Sequence, residues 1–525
     1  MLRYQHWPDQ DAAGGARHAV AIVGAGPVGL ALAIDLAQAG QPVVVLDQDD
    51  RLSDGSRAIC FAKRTLEIFD RLGCGAPMVA EGVSWHTGKV FFRDDLVYSF
   101  DLLPEPGHAR PAFINLSQYR LEELLLQRAE ALPGISLRWQ QRVAAVEKTA
   151  DGARLTVATP DGEYRLSCRY LIAADGARGA VRGLLGHEST GQTFHDRFLI
   201  ADVRMDADFP PERWFWFDPP FHPGQSVLLH RQPDNVWRID FQLGPDADPV
   251  AERAPERVVP RIQALLGPEA KFSLLWVSVY TFACARMARF RDGPVLFAGD
   301  CAHRVSPFGA RGANGGVQDA DNLGWKLRAV LRGEAPDRLL DTYADEREAA
   351  ADENILNSTR STDFITPKGA VSHLFRDAVL GLARDHGFAR RLVNSGRLSL
   401  PATYDGSALN TPDADHFAAG PRPGAPAIDA PVENGWLLDA THGGFTLLAF
   451  GAPPDGAAAA LGGLVPLVIV VTLPAHGLAA ERYGAGDGTV YLLRPDQHVC
   501  ARWRRFDADA VRAAHARALC RGDAA

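Results

Sequence analysis

The spacing of three glycines constrains this chain more than any other feature. Residues 18–29 read "HAVAIVGAGPVG": an apolar run ending in Gly24, Gly26 and Gly29 at G-x-G-x-x-G spacing, with helical pattern from Val28 to Ala39. In a strand that turns into a helix, the first two glycines let the backbone bend and approach a pyrophosphate. The third allows close helix–strand packing. The helix start adds partial positive charge. A second run, "PVVVLD", ends in Asp47, at the distance where an acid receives ribose hydroxyls. Strand, helix and strand of this kind predict a parallel sheet covered on both faces, and the turn predicts dinucleotide binding.

Two later strands share this character. "RYLIAADG" at 169–176 and "GPVLFAGD" at 293–300 each end in an acid beside glycine. The second runs into "FAGDCAHRVSPFGARGANGG" at 297–316, where five glycines and a Ser-Pro precede a helix expected to open near Gln318 and stop at Gly333. Helical pattern continues to about 395. Between these units, "KVFFRDDLVYSFDL", "RWFWFDPP", "SVLLHRQPDNVWRIDFQL" and "FSLLWVSVYTFACAR" alternate in the manner of antiparallel sheet and predict a second domain inserted in the first. From about 396 the chain turns rich in Pro, Gly, Ala and Asp, as a linker or wrapping segment does. Beyond it, "FTLLAF", "LVIVVTL" and "VYLLRPD" alternate with helical stretches and predict a small α/β domain. The run "LVPLVIVVTL" at 464–473 is too short to span a bilayer and reads as a buried strand.

With its three ordered motifs the chain resembles, over about residues 18–360, the class A flavoprotein monooxygenases, the FAD-dependent aromatic hydroxylases related to p-hydroxybenzoate hydroxylase and phenol hydroxylase. The resemblance implies an α/β protein with a Rossmann-like FAD-binding domain (1–84, 111–190 and 286–395), an inserted antiparallel β-sheet substrate domain (85–110 and 191–285), a linker (396–424) and a C-terminal thioredoxin-like α/β domain (425–525). "AADGARGAVR" is similar to the family's Asp-Gly motif, which implies Asp175 and Arg182 near the FAD pyrophosphate and the nicotinamide path. Gly179 stands where many relatives carry Ser. In the 297–316 stretch, Asp300 is implied to bind ribityl hydroxyls and Pro307 to pass beside the isoalloxazine. Backbone N–H groups at Gly312, Ala313 and Asn314 are implied to face its pyrimidine end, where a helix start stabilises negative charge. "SDGSRAICFAKRTLEIFDRLG" makes Arg57 a candidate neighbour of flavin or pyrophosphate, "NLSQYRLEELLL" makes Gln118 a flavin contact, and Val143 is implied to present its backbone to adenine.

A single G-x-G-x-x-G leaves the nicotinamide without a Rossmann domain of its own, which fits the family, in which NADPH or NADH docks transiently. The resemblance implies that reduced flavin and dioxygen give a C4a-hydroperoxide that hydroxylates a phenolic or related electron-rich aromatic substrate, with water excluded. In "VWRIDFQL" a period of two puts Arg238, Asp240 and Gln242 on one face and Trp237, Ile239 and Phe241 on the other. The first face is either solvated or lines the pocket. Phenol hydroxylases carry Arg-x-Tyr on what looks like this strand, so Asp240 becomes the candidate acceptor of a phenolic proton and Arg238 the holder of the resulting anion. Trp216, sharing a face with Trp214, is a candidate pocket wall, and Gln242 a candidate substrate contact.

A formal net charge of -9 with no basic run excludes nucleic acid and anionic membranes as expected partners. Seven cysteines without C-x-x-C or a His/Cys metal spacing, and an N-terminal stretch without an apolar signal core, predict reduced thiols, no metal and a cytoplasmic protein. Without C-x-x-C the C-terminal domain is expected to serve packing or contact in a homodimer rather than dithiol exchange. Two alternatives stand beside the hydroxylase. One is a flavin-dependent halogenase, whose W-x-W-x-I-P is missing from "WFWFDPP"; the other is a flavoprotein that binds aromatic ligands without turnover.

Overall fold

The computed structural model describes residues 2–12, 15–53, 57–207, 209–393, 398–452 and 456–521. Its first sheet is built from strands Arg291–Asp292, Val295–Phe297, Gly162–Ala173, Ala16–Val23, Val43–Leu46 and Ile135–Arg138, in that spatial order. The last five run parallel. The paired residues of the first four of these, from Val295–Phe297 to Val43–Leu46, are mostly buried Val, Ile, Leu, Ala and Phe, as two covered faces require, whereas Ile135 and Leu137 of the last are only partly buried. Strands Arg142–Thr149 and Gly152–Thr159 extend this sheet as an antiparallel ribbon from Gly162–Ala173. Helices Pro27–Gln38 and Gly312–Leu331 pack against each other on one face.

The second sheet has eight strands, ordered His303–Arg304, Phe272–Met287, Ser189–Met205, Val236–Leu243, Ser226–Arg231, Arg213–Phe217, Thr87–Phe92 and Asp95–Asp101. It is mixed rather than purely antiparallel: Arg213–Phe217 runs parallel to Thr87–Phe92. These two strands come from separate insertions, so no hairpin sets their relative direction. One face carries Trp216, Trp237, Ile239 and Phe241 and is covered by helix Pro255–Leu266 through Val258 and Ile262. The other carries Phe198, Phe217 and Leu228 and meets Phe308, Ile365 and the helices Ala370–Ala383 and Gly387–Val393.

The helix expected near Gln318 begins six residues earlier, at Gly312. Glycine is a poor helix former, yet here packing demands it. A Cβ on Gly316 would lie 2.6 Å from Val28 Cγ2, so the helix reaches helix Pro27–Gln38 only without side chains. The strand of the apolar run 464–473 is Val468–Leu473, an edge strand of the C-terminal sheet whose Ile469 is exposed. It is not the buried strand expected, because only one neighbour pairs with it. That sheet orders Val468–Leu473, Phe445–Phe450, Val490–Leu493 and Val499–Trp503, the first pair parallel and the rest antiparallel. The expected boundary at 395/396 lies outside the described residues. All seven cysteines are free, and among the described residues no helix is long and apolar enough to cross a membrane.

The C-terminal sheet is keyed to the rest by buried charge. The turn after Val490–Leu493 puts Arg494 against Glu346 of helix Asp341–Ile365, with Nη1–Oε1 at 2.6 Å, and against Asp496 at 2.5 Å. Lys326 of helix Gly312–Leu331 reaches the same Glu346 at 2.7 Å, and Asn322 donates to it at 2.7 Å. Arg64 donates to the Asp496 carbonyl at 2.6 Å. The two cations hold Glu346 well below the ordinary carboxylate range against the opposing cost of burial. Removing one partner of such a group strands the others in the interior. Glu346→Ala is therefore expected to cost about 3–5 kcal/mol of stability, read as a lowered thermal midpoint, and to cost more than Arg422→Ala, whose ion pair with Asp405 is exposed.

Candidate active site

Parallel register brings the three acid-glycine turns together. Val23 lies opposite Leu46 on one side and Ala173 on the other, and Ala173 lies opposite Phe297. Gly24, Asp47, Asp175 and Asp300 thus leave the carboxyl ends of four adjacent strands, where open α/β sheets bind ligands. Gly24, at φ +106°, presses on the next turn: a Cβ there would lie 2.4 Å from the Ala174 carbonyl oxygen. A Cβ on Gly29 would lie 2.0 Å from the Gly24 carbonyl oxygen. Gly26 differs, since nothing lies within 4 Å of its Cβ position. Two glycines make the turn, and the third faces open space.

The carboxylates around this cleft differ in occupation. Asp47 accepts from the Ala25 N–H at 2.6 Å and the Asp49 N–H at 2.9 Å, and burial raises its pKa. Asp175 accepts from the Val181 N–H at 3.0 Å through Oδ2, while Oδ1 is buried with no partner. A Cβ on Gly179 would lie 2.1 Å from Asp175 Cγ, so glycine at 179 leaves room for that carboxylate. Arg182 donates to the Cys301 carbonyl at 2.7 Å and ties the second turn to the third. Asp300 is exposed within the cleft, accepts no hydrogen bond from the described residues, and has its pKa raised by the protein around it.

The glycine-rich segment is held from behind. Asp319, fully buried, accepts from the Gly299 N–H at 2.9 Å, from His303 Nε2 at 2.7 Å and from Arg347 Nε at 2.6 Å. His303 stacks on Phe290 and belongs to this brace. Asn314 binds backward: Oδ1 accepts from the Ala62 N–H at 2.8 Å, and Nδ2 donates to the Cys60 carbonyl at 2.9 Å. That fixes the start of helix Gly312–Leu331, whose first N–H groups, Gly312 to Asn314, an α-helix leaves without internal partners. Gln118 accepts from the Ala58 N–H at 3.2 Å and donates to Glu122, which receives the Ser53 backbone and hydroxyl. Sequence reading missed Glu122; its place one turn after Gln118 was the available signal. Arg57 borders the undescribed 54–56 and gives its carbonyl to Arg238 at 2.7 Å. Val143 is buried opposite Val157 in the antiparallel ribbon, and Pro307 is exposed just before Phe308.

An aromatic cavity opens beside Phe308 and Gly309, walled by Arg213, Phe215, Phe217, Val90, Phe100 and Leu398. The wall of strand Arg213–Phe217 is therefore its odd-numbered face. Trp216, expected there, stacks with Phe91 on the opposite face under helix Pro255–Leu266, because successive side chains of a strand point to opposite sides. Gln242, expected to contact substrate, accepts from the Ser226 N–H at 3.0 Å and is spent on the sheet. Arg238 and Asp240 share the cavity's face of the sheet, two strands away. Arg238 Nε pairs with Asp202 at 3.1 Å, and its Nη2 is buried without a partner. Asp240 Oδ1 is likewise buried and unpartnered, His230 Nε2 stands 3.9 Å from Oδ2, and burial pushes the carboxyl up to about 6 against the opposing pull of Arg238.

A family model described as an FAD binding domain matches residues 17–358. The chain belongs to this FAD-binding family. Over 509 residues it is 32% identical to 12-dehydrotetracycline 5-monooxygenase/anhydrotetracycline 6-monooxygenase of Streptomyces rimosus, covering 92% of this chain and 95% of that one. It is 34% identical to the probable NADH-specific resorcinol 4-hydroxylase of Rhodococcus jostii, covering 75% and 73%. The crystal structure of aklavinone-11 hydroxylase with FAD and aklavinone superposes with a TM-score of 0.77 at 25% identity, over 96% of this chain and 99% of that one. This protein is thus an FAD-dependent monooxygenase, and the cleft fits that cofactor: open space over Gly26, a buried unpartnered Asp175 oxygen and an unbonded Asp300.

The raised pKa of Asp240 has a stability consequence of definite sign. Folded Asp240 binds a proton more tightly than the unfolded carboxyl at 3.8, so its favourable contribution is complete below pH 4 and is lost as pH rises through about 6. Asp240→Asn is expected to be more stable than wild type at pH 7 by on the order of 3 kcal/mol, with the difference closing towards pH 4. Denaturant unfolding across that range checks it.

Proposed function

We propose that this FAD-dependent monooxygenase uses NADPH or NADH and dioxygen to hydroxylate a phenolic or related electron-rich aromatic compound held in the cavity beside Phe308. The reading rests above all on the row of Gly24, Asp47, Asp175 and Asp300 along one cleft next to an aromatic cavity. The pyrophosphate of FAD would lie over Gly26 and the start of helix Pro27–Gln38, with Gly24 and Gly29 shaping that turn. Asp47 would take ribose hydroxyls, and Asp300 the ribityl hydroxyls that its free oxygens suit. Arg57, Gln118 and Val143 would border the cofactor, and Pro307 would pass beside its ring system. The N–H groups of Gly312, Ala313 and Asn314 would meet its most electron-rich edge, where the helix start favours negative charge.

When bound, reduced FAD supplies with dioxygen the electrophilic oxygen that the aromatic ring attacks. The protein's part is to exclude water, place the ring and move one proton. Phe215, Phe217, Phe308 and Leu398 exclude water from the cavity. Asp240 Oδ1 is the base for the phenolic O–H, taking its proton as the ring becomes more electron-rich, and Arg238 holds the oxygen anion left behind. A carboxyl that titrates near 6 is ionised, yet still basic, at neutral pH. Substrates of the relatives, resorcinol and anhydrotetracycline among them, suit an aromatic cavity of this kind. The C-terminal domain, thioredoxin-like in its chain order and without C-x-x-C, would serve packing; a homodimer is the assembly proposed.

Gly26→Ala should fold with an unchanged thermal midpoint, since its Cβ meets nothing within 4 Å, but should take up FAD at least about tenfold more weakly, measured by flavin fluorescence on reconstitution. The function itself is tested by screening phenols, naphthols and polycyclic phenols for stimulated NAD(P)H oxidation with analysis of the hydroxylated product. Wild type should give product, and Asp240→Asn should lose the limb of the pH–rate profile near pH 6. Stimulated oxidation with no oxygenated product from any compound refutes the assignment.

A further inference from the structure

Residues 2–11 precede the first strand of the parallel sheet and belong to none of its ligand-facing turns, yet they are tied down along their length. The Leu2 N–H donates to the Asp50 carbonyl at 2.6 Å, and the Leu2 carbonyl accepts from Gln140 Nε2 at 3.3 Å. The Tyr4 hydroxyl donates to Asp161 at 2.8 Å and lies 3.4 Å from the Thr159 hydroxyl. The centroid of the Trp7 ring stands 4.8 Å from Arg138 Cζ, a contact between a cation and an aromatic face that strengthens as it is desolvated. Arg138 is 3% exposed, and its Nη2 donates to Asp9 at 2.6 Å.

What these contacts grip is the loop that carries Asp47. The Asp47 N–H donates to the Arg138 carbonyl at 2.9 Å, the Asp47 carbonyl accepts from the Gln141 N–H at 2.8 Å, and the Asp49 carbonyl accepts from the Gln140 N–H at 3.3 Å. Gln140 sits at φ +57°, a left-handed backbone that a residue other than glycine keeps only where its surroundings hold it. Its side chain is held by Leu2. A polar groove beside this loop is lined by 48–51, Gln140, Arg142 and 158–160. Gln48 and Arg142 are the chain neighbours of Asp47 and Val143, so the groove adjoins the place proposed above for the adenosine part of FAD. Residues 2–11 bond to both stretches that line it, through Leu2 on Asp50 and Tyr4 on Thr159.

We propose that residues 2–11 are a clamp on the adenosine end of the FAD site: they hold the Asp47 loop in the conformation that meets the ribose and so set how slowly the cofactor leaves. This rests on the reading that Asp47 takes the ribose hydroxyls. Leu2 acts through Asp50 and Gln140, and Trp7 and Asp9 act through Arg138, so all three are positioning residues. A site held ready before its ligand arrives loses less order on binding, and such gains are expressed mainly in the dissociation rate.

The test dilutes the FAD-loaded enzyme and reads cofactor loss as the rise in free-flavin fluorescence. Deletion of residues 2–11 should speed the loss at least about tenfold and Trp7→Ala at least about threefold. The thermal midpoint of each apoprotein should stay within about two degrees of wild type. In an Asp47→Asn background, itself expected to lose FAD at least about tenfold faster, Trp7→Ala should add less than about twofold, because both changes act on one contact. Either variant keeping FAD as long as wild type, or an undiminished Trp7→Ala effect in the Asp47→Asn background, overturns the clamp. So does a Trp7→Ala apoprotein midpoint lowered by several degrees, which makes the segment a general staple of the fold. Should the deletion not fold, Trp7→Ala decides on its own. If Asp47→Asn leaves FAD loss unchanged, the ribose reading falls and the clamp with it; if Asp47→Asn speeds the loss and Trp7→Ala does not, the clamp falls alone.

Discussion

Everything in this protein depends on four parallel strands ending in one row. Register sets Val23 between Leu46 and Ala173, and Ala173 beside Phe297, so three turns distant in the chain converge at one edge. Such turns converge only if the backbones themselves approach. Val28 fills the space that side chains on Gly299 and Gly316 would need, at 2.9 and 2.6 Å. The glycines are thus a condition of contact between the first helix, the third turn and the start of helix Gly312–Leu331. A cleft formed in this way is rigid at its floor, where a dinucleotide cofactor needs fixed donors and acceptors.

Charge is handled in two ways inside the molecule. Behind the cleft, Asp319 and Glu346 are surrounded by donors and satisfied, and they bind the glycine-rich turn, two long helices and the C-terminal sheet into one body. Facing the substrate side, Arg213, Arg238 and Asp240 each keep a buried atom with no partner. Satisfied networks rigidify; unsatisfied groups cost free energy that a folded chain tolerates where a ligand completes them. The contrast between the satisfied carboxylates of Asp319 and Glu346 and the half-satisfied carboxylate of Asp240 marks scaffold from site, although both regions contain Arg and Asp.

The cofactor side was largely legible in the sequence because its signals are local. Gly24, Gly26 and Gly29, and the acids at 47, 175 and 300, each follow a short apolar strand, so turn and strand can be read together. The start of helix Gly312–Leu331 was less legible: low helix propensity at Gly312, Gly315 and Gly316 argues for a loop, and the close approach of Gly316 to Val28 shows why a glycine is needed within the helix. Val468–Leu473 reads as a core strand by composition, whereas its exposure follows from its place at a sheet edge, which composition does not encode. The brace built on Asp319, His303 and Arg347 joins residues up to 44 positions apart in sequence and has no local signature.

Sequence by itself determined the parallel α/β unit, the cofactor turns and the two faces of the strands Arg213–Phe217 and Val236–Leu243, because periodicity and glycine spacing are properties of the backbone. Which face of Arg213–Phe217 lines the cavity was decided only by tertiary structure. Alternation separates Arg213, Phe215 and Phe217 from Trp214 and Trp216, but both sets contain large aromatic side chains suited to burial. Helix Pro255–Leu266 covers the tryptophan face and Phe308 meets the other, so the choice rests on what packs above and below the sheet, and those contacts come from chain segments far from the strand itself.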